Sequence, residues 1–256
     1  MSEALSLPAW EQLLNQLEAG TLRAAYQDEQ GQWHANTEVK AGILSAFPAG
    51  EMISFDADFP GAVDKHNLAP RRFHPRDQVR QVPGGSAVRR GAHVAAGVVI
   101  MPPAYINIGA FIDSGTMVDS HALVGSCAQI GKQVHLSAGV QIGGVLEPVG
   151  MAPVIVEDHA FIGAGCVLVE GVIVKRGAVL APGVQLSASV PVYDLINECQ
   201  LERGAPIPEN AVVVPGSRPA SSGWGRQMGL SVQCPVIIKY RDAGSDAALV
   251  LEEALR

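Results

Sequence analysis

Aromatic residues are scarce here: Phe, Trp and Tyr make up 5% of the 256 residues, which leaves aliphatic side chains to fill the interior. Charge is also thin, at 17%, and it is unbalanced, with 18 Lys and Arg against 25 Asp and Glu, a net charge of −7. No basic cluster offsets that balance, so nucleic acid is excluded as the main partner. No apolar run reaches the length of a bilayer span, and Met1–Pro8, with Glu3, lacks a signal-peptide pattern. A cytoplasmic location and no membrane partner are therefore expected. The four cysteines, at 127, 166, 199 and 234, have neither metal nor redox spacing. Cys127 and Cys166 read as packed, reduced thiols. His121, His135 and His159 are 14 and 24 residues apart. A zinc hydrolyase or carbonic anhydrase would need closely paired histidines on successive faces, and these do not form such a set.

What the chain does have is a period of six. Aliphatics recur at Val88, Val94, Ile100, Ile106, Ile112, Val118, Val124, Ile130, Leu136 and Ile142, and again at Val156, Ile162, Leu168, Val174, Leu180, Leu186 and Val192. A small residue follows most of them four places later, as at Ala92, Ala104, Ala110 and Ala160, often with Gly just before it. Six matches neither the helical period of 3.6 nor the strand period of 2. It is the signature of a parallel β-helix, a coil of three flat faces with one hexapeptide per face. The aliphatic should point inward and Gly should serve the corners that need positive φ. The stacked coils need a cap at each end.

Three parts follow: residues 1–86 as an α-rich N-terminal domain and linker, 87–192 as the β-helix, and 193–256 as a C-terminal capping extension. Residues 8–19 predict a helix with an apolar stripe of Trp10, Leu13, Leu14 and Leu17, capped by Ser6 and ended by Gly20. Leu22–Gln27 and Gln32–Asn36 predict a hairpin. Residues 37–47 predict a second helix stopped by Pro48. Residues 56–86 lack a period but hold Lys65, Arg71, Arg72, His74, Arg76 and Arg80, which suit either an anionic ligand or a solvated surface. Ile142 to Val156 is fourteen residues, two more than two hexapeptides, so an excursion near Glu147–Pro153 leaves the coil; such excursions commonly carry function. Asp194–Asn210 reads as a long loop, Pro215–Gly225 as a mobile loop, Val232–Tyr240 as a strand and Ala247–Arg256 as a terminal helix.

Several blocks resemble the tetrahydrodipicolinate N-succinyltransferase family, acyltransferases of lysine biosynthesis. They are Tyr105–Asp119 (YINIGAFIDSGTMVD), Leu123–Leu136 (LVGSCAQIGKQVHL), Gly143–Pro148 (GGVLEP) and Val156–Gly165 (VEDHAFIGAG). Weaker similarity runs from about Leu17 to Arg256 and includes Gly31–Trp33 and Pro235–Lys239. The resemblance implies left-handed coiling, a homotrimer with active sites between neighbouring subunits, and a coenzyme A arm lying along the coil. It implies a coenzyme A-dependent N-acyltransferase that moves a succinyl or acetyl group to the amine of tetrahydrodipicolinate or a related amino dicarboxylate. Succinyl-CoA or acetyl-CoA would be a cosubstrate, with no cofactor tightly bound.

Such a reaction needs a positioned neutral amine, a base for its proton and donors for the oxyanion. The resemblance places the catalytic carboxylate on Asp119, which should project outward because it follows inward Val118. Arg80 lies near the family's substrate-binding arginine, one gap away. Glu147 sits in the excursion and is a second candidate for substrate binding. Gly183, Ser187 and Lys239 are candidates for the coenzyme A arm and its phosphates. The chain also departs from the family. Where members read GARSE, it reads Gly163-Ala164-Gly165-Cys166-Val167, so the second catalytic carboxylate becomes Val167, and Glu170 matches another position. His121 stands where members have Trp, and it is a candidate for binding or proton transfer; an outer corner histidine is the plainer reading. These departures leave room for a specialised-metabolism paralogue, as in the pathway to tabtoxin, with acetyl-CoA as donor, or for a non-catalytic scaffold. Fold alone does not decide among them.

Overall fold

The computed structural model of the chain describes residues 7–56 and 59–241. From Arg80 onward each hexapeptide contributes a two-residue strand and a corner. Strands in adjacent coils pair in parallel, 18 residues apart, as Phe111 with His93, Met117 with Val99 and Leu123 with Tyr105. The result is a left-handed parallel β-helix with three faces. The first face stacks the strands that begin at Arg80, Val99, Met117, His135, Phe161 and Val179. The second stacks those at Ala87, Tyr105, Leu123, Gln141, Val167 and Gln185, and the third those at His93, Phe111, Gln129, Ile155 and Ile173. Inward aliphatics from Val88 to Leu186 form one continuous buried ladder. Each contributes roughly 1.5–3 kcal/mol on full burial, and each fixes the register of the coil above it.

The ladder starts before residue 87 and ends after 192. Arg80–Gln81 pairs with Val99–Ile100, and Val212–Val213 pairs with Val179–Leu180. The period did not reveal the first strand because Gln81, not an aliphatic, occupies the inward position. The excursion also has a different register from the expected one. His135 pairs with Phe161 and Gln141 with Val167, 26 residues apart instead of 18, so eight residues are inserted at one corner. No face is lost, and Ile142 and Val156 lie on consecutive faces. The loop leaves close to the coil: a Cβ on Gly125 would run into the backbone of Gly144.

The N-terminal helix α1 (Ala9–Ala19) ends at Gly20, whose φ of 73° permits the left-handed cap. Pro8 holds its N-cap position without a side-chain bond, and Ser6 lies outside the described residues. Helix α2 (Thr37–Ala49) is capped by the Asn36 side chain and runs through Pro48 instead of stopping before it. A proline in the last turn removes only one terminal hydrogen bond, which the helix tolerates. Between them, Ala25–Gln27 and Trp33–Ala35 form the expected hairpin. Leu14, Leu17, Val39 and Ile43 bury against Ile108 and Cys127 of the coil, so this small domain shares a core with the helix it covers. Lys40 is fully buried and donates to the carbonyls of Pro148 and Met151, at 3.2 and 2.7 Å, tying α2 to the excursion.

At the other end, Ala211–Pro219 and Ser231–Tyr240 form a long antiparallel hairpin, with α3 (Gly223–Gln227) near its tip. The segment expected as a loop over 215–225 is therefore half strand, because pairing with the apolar 231–240 strand overrides its Pro and Gly content. Short strands at Tyr193–Asp194 and Cys199–Gln200 interrupt the expected loop 194–210. Ile207, Ala211, Val213 and Ile237 close the last coil. The helix expected over 247–256 lies outside the described residues.

His93 joins the N-terminal domain to the third face. Its Nδ1 meets the Glu18 carbonyl at 2.8 Å and its ring stacks on Phe111 at 4.5 Å. Burial holds its pKa below the ordinary 6.5. The folded state therefore binds fewer protons than the unfolded one, and this part of the stability is present above pH 6.5 and lost as pH falls below it. Calorimetric melting temperatures between pH 7 and about 5 should fall more steeply for the native protein than for His93→Gln.

Candidate active site

The corner between the first and second faces holds Asp119, His121 and Gly183, three of the candidate residues. Asp119 follows the inward Val118 and is partly exposed, as expected. Its N–H pairs with the Leu136 carbonyl, which fixes the backbone. Oδ1 accepts the Ser120 N–H at 2.7 Å, and Oδ2 accepts nothing from the described residues. Asp119 is thus a turn cap with one oxygen left over. His121 occupies the next corner position with φ 60° and an exposed side chain. In later coils the same position is held by Gly139, Gly165 and Gly183, all at positive φ. Histidine tolerates that region better than most residues. Its N–H donates to the Pro103 carbonyl, and its own carbonyl accepts Gln141 Nε2 at 3.2 Å.

Beyond His121 the corner is nearly bare of side chains. It reads Ser137-Ala138-Gly139, then Gly163-Ala164-Gly165, then Ala181-Pro182-Gly183. Gly163 is needed for close coil approach, since a Cβ there would lie 2.6 Å from the Leu180 carbonyl. The N–H groups of Gly139, Gly165 and Gly183 are spent on the coil before. Those of Ala138 and Ala164, both exposed, donate to no described residue. These alanines were not singled out from the sequence; the only signal was a small residue one place before each corner glycine. At about 4.8 Å per coil, His121 and Gly183 are about 14 Å apart along this track.

At the first coils the corner opens onto cations. A hollow of about 670 Å3 is lined by Arg71, Arg72, His74 and Arg80, with Phe59 and Phe73. A second, of about 230 Å3, is lined by Tyr105, His121, Pro103 and Gly85. Gly84 lines the first and Gly85 the second, so the two are neighbours along the chain. Arg80 stands two strand spacings from Met117, about 10 Å.

Other candidates lie elsewhere. Ser187 and Glu170 sit at the corner between the second and third faces, and Glu147 is exposed in the excursion that leaves the same corner. Ser187 lines a cavity of about 240 Å3 under the C-terminal cap, away from Gly183. Lys239 is exposed and pairs with Val212 beyond the last strand of the first face. Five strand spacings, about 24 Å, separate it from Met117. Val167 lies on the second face between Gln141 and Gln185, with no carboxylate in that column. Its neighbour Cys166 is a buried thiol whose pKa is pushed up to about 11 by burial, and Cys127 reaches about 12 for the same reason, so both are inert. His121, His135 and His159 fall on a corner, a face and a different corner. Among the described residues no group of three or more His, Cys, Asp or Glu is arranged to hold a metal ion, and no helix is long and apolar enough to cross a membrane.

A left-handed coil with a carboxylate at the head of a bare corner, and cations at its first turns, defines a hexapeptide-repeat acyltransferase. Comparison with known proteins narrows this. Residues 3–49 match the tetrahydrodipicolinate N-succinyltransferase N-terminal family, and residues 153–188 match the hexapeptide repeat of succinyl-transferase. The chain is 47% identical over 248 residues to a 2,3,4,5-tetrahydropyridine-2,6-dicarboxylate N-succinyltransferase of Azoarcus sp., covering 94% of this chain and 86% of that one. It is 44% identical to the protein of that name from Albidiferax ferrireducens, covering 98% and 89%. It is 41% identical to that from Rhodopseudomonas palustris, covering 97% and 89%. The chain belongs to the 2,3,4,5-tetrahydropyridine-2,6-dicarboxylate N-succinyltransferase family. It is an N-acyltransferase that takes its acyl group from coenzyme A.

If the bare corner carries the thioester arm, a bulky side chain there should obstruct it. Ala164→Tyr is expected to raise the KM for the acyl-CoA by about tenfold or more, the cost of lost close contact, with little change in melting temperature. An unchanged KM would remove the corner from the binding path.

Proposed function

We propose that this chain transfers a succinyl group from succinyl-CoA to the amine of a tetrahydropyridine dicarboxylate or a close amino dicarboxylate, as the names of its relatives describe for them. The observation that carries this reading is the position of Asp119, between the cationic hollow and the bare corner track. Arg80 and its neighbours receive the carboxylates of the acceptor. Water adding across the C=N bond opens the tetrahydropyridine ring to a free amine, and this amine attacks the thioester carbonyl, forming the C–N bond. The free N–H groups of Ala138 and Ala164, one and two coils beyond Ser120 on the same corner, receive the developing oxyanion. Asp119 takes the ammonium proton and returns it to the departing sulfur as the C–S bond breaks. Gly183 borders the arm, and Lys239, at the end of the first face, meets a coenzyme A phosphate. Glu147 and Ser187, at another corner, reach this chemistry only through a neighbouring subunit. A homotrimer is the working form, supported by partly exposed Met117, Leu123 and Phe161 and exposed Tyr105 on the first and second faces. The setting is the cytoplasm.

Val167 favours a second reading for the donor alone. With glutamines above and below it and no charge in the column, this position offers nothing ionic to a succinyl carboxylate or an amine, and acetyl-CoA is the alternative, as in a specialised-metabolism paralogue.

The test is thioester consumption by purified protein with tetrahydrodipicolinate, using succinyl-CoA and acetyl-CoA side by side. Succinyl turnover supports the first reading, acetyl preference the second, and silence with both in a folded protein overturns each. In the active pair, Asp119→Asn should lower kcat by about 100- to 10,000-fold with the KM for acyl-CoA nearly unchanged. His121→Asn should also slow turnover. Normal turnover in that variant takes His121 out of the mechanism.

A further inference from the structure

One polar cavity takes no part in this chemistry. It has a volume of about 270 Å3 and lies between the N-terminal hairpin and the third face of the coil. Arg23 forms one side. Its guanidinium is 3.8 Å from the centre of the Phe111 ring and 5.4 Å from that of Trp33. Nε donates to Gln129 Oε1 at 2.9 Å, and Gln129 is buried and anchored to the Cys127 carbonyl. Trp33 is held by Glu157, which accepts its indole N–H at 3.0 Å and also meets Lys175 at 3.2 Å. The guanidinium is thus fixed in place, while its two terminal NH2 groups donate to no described residue.

Three carboxylates line the same cavity, together with Lys132 and Arg176: Glu157, whose oxygens already accept from Trp33, Lys175 and the Arg176 N–H, and two with an oxygen to spare, Asp113 and Asp158. Asp113 accepts the Ser114 N–H at 2.7 Å and Asp158 the Lys132 N–H at 2.8 Å, each through Oδ1. The second oxygen of Asp158 has only a long contact, 3.9 Å, to exposed Arg176, and that of Asp113 has none among the described residues. Both carboxylates are close enough to favour the charged form of Arg23, against its burial, yet neither forms a contact ion pair with it. Opposite charges thus face each other across a gap around a half-buried guanidinium, which a direct partner would stabilise.

The arrangement selects the ligand by charge. A simple anion would satisfy Arg23 and be repelled by Asp113 and Asp158. A simple amine would meet the reverse. A zwitterion satisfies both sides, its carboxylate forked on the planar guanidinium and its ammonium on the free carboxylate oxygens. We propose that this cavity binds a free α-amino acid, at a site distinct from the acyl-transfer corner. Asp113 and Asp158 stand at the corner between the third and first faces, one corner away from Asp119. Occupancy bridges the hairpin to the coil through Arg23.

Calorimetric titration of the intact protein with glycine, L-alanine and L-lysine tests this without requiring turnover, so it is independent of the acyl-transfer reading. Saturable binding of at least one of them is expected, with none for acetate or methylamine at equal concentration. Arg23→Gln and Asp113→Asn should each weaken it by about 30-fold or more, while melting temperature and amino acid-free turnover stay near native values. No binding of any of the three, or undiminished binding in both variants, overturns the proposal. A rise in the KM for the acyl acceptor in Asp113→Asn also overturns it, by giving the cavity to the acceptor.

Discussion

Parallel pairing between coils 18 residues apart, held in register by the inward aliphatics, is the constraint on which the rest depends. A slip of one residue would turn Ile130 or Leu136 outward and put Gln129 or His135 in the core. With the register locked, every outward position acquires a fixed address on a face or a corner. Asp119 therefore stands two coils above Arg80's strand for the same reason that Val118 is buried. The inward aliphatics set the order of the scaffold and leave the corners free for polar side chains such as Asp119 and His121.

Those corners are where the backbone is most exposed and most constrained. The position taken by His121 demands positive φ, and later coils meet it with glycine, which also strips the corner of side chains. The same demand thus produces both a histidine beside Asp119 and a smooth track leading away from it. Exposed N–H groups at Ala138 and Ala164 follow from the same geometry, since the coil ladder has no partner for them. A bare corner suits a long, narrow ligand arm better than a pocket would.

The N-terminal domain does more than close the coil. Its core runs into Ile108 and Cys127, and buried Lys40 holds the excursion by two carbonyls. Arg23, fixed over Phe111, brings a cation from the N-terminal domain onto the third face. Parts of the chain far apart in sequence thereby share one polar environment on the third face, while the corner that holds Asp119 remains open on the other side.

The β-helix was legible from the amino-acid order because its period is local: one aliphatic in six suffices to name the inward face, and the GTMVD and GGVLEP blocks to name Asp119 and Glu147. Its ends were not legible, since Gln81 breaks the pattern while the ladder still pairs, and the hairpin of 211–240 draws its order from a distant partner strand. The sequence by itself determined the coil and carried the resemblance that implies its class of chemistry and sets Val167 where that family has a carboxylate. Only the tertiary structure decided that Gly183 shares a corner with Asp119 whereas Ser187 does not, that Ala138 and Ala164 keep free N–H groups, and that Arg23 faces Asp113 and Asp158. Those relations depend on how coils stack and how a separate domain docks, which are contacts between residues that no local period relates.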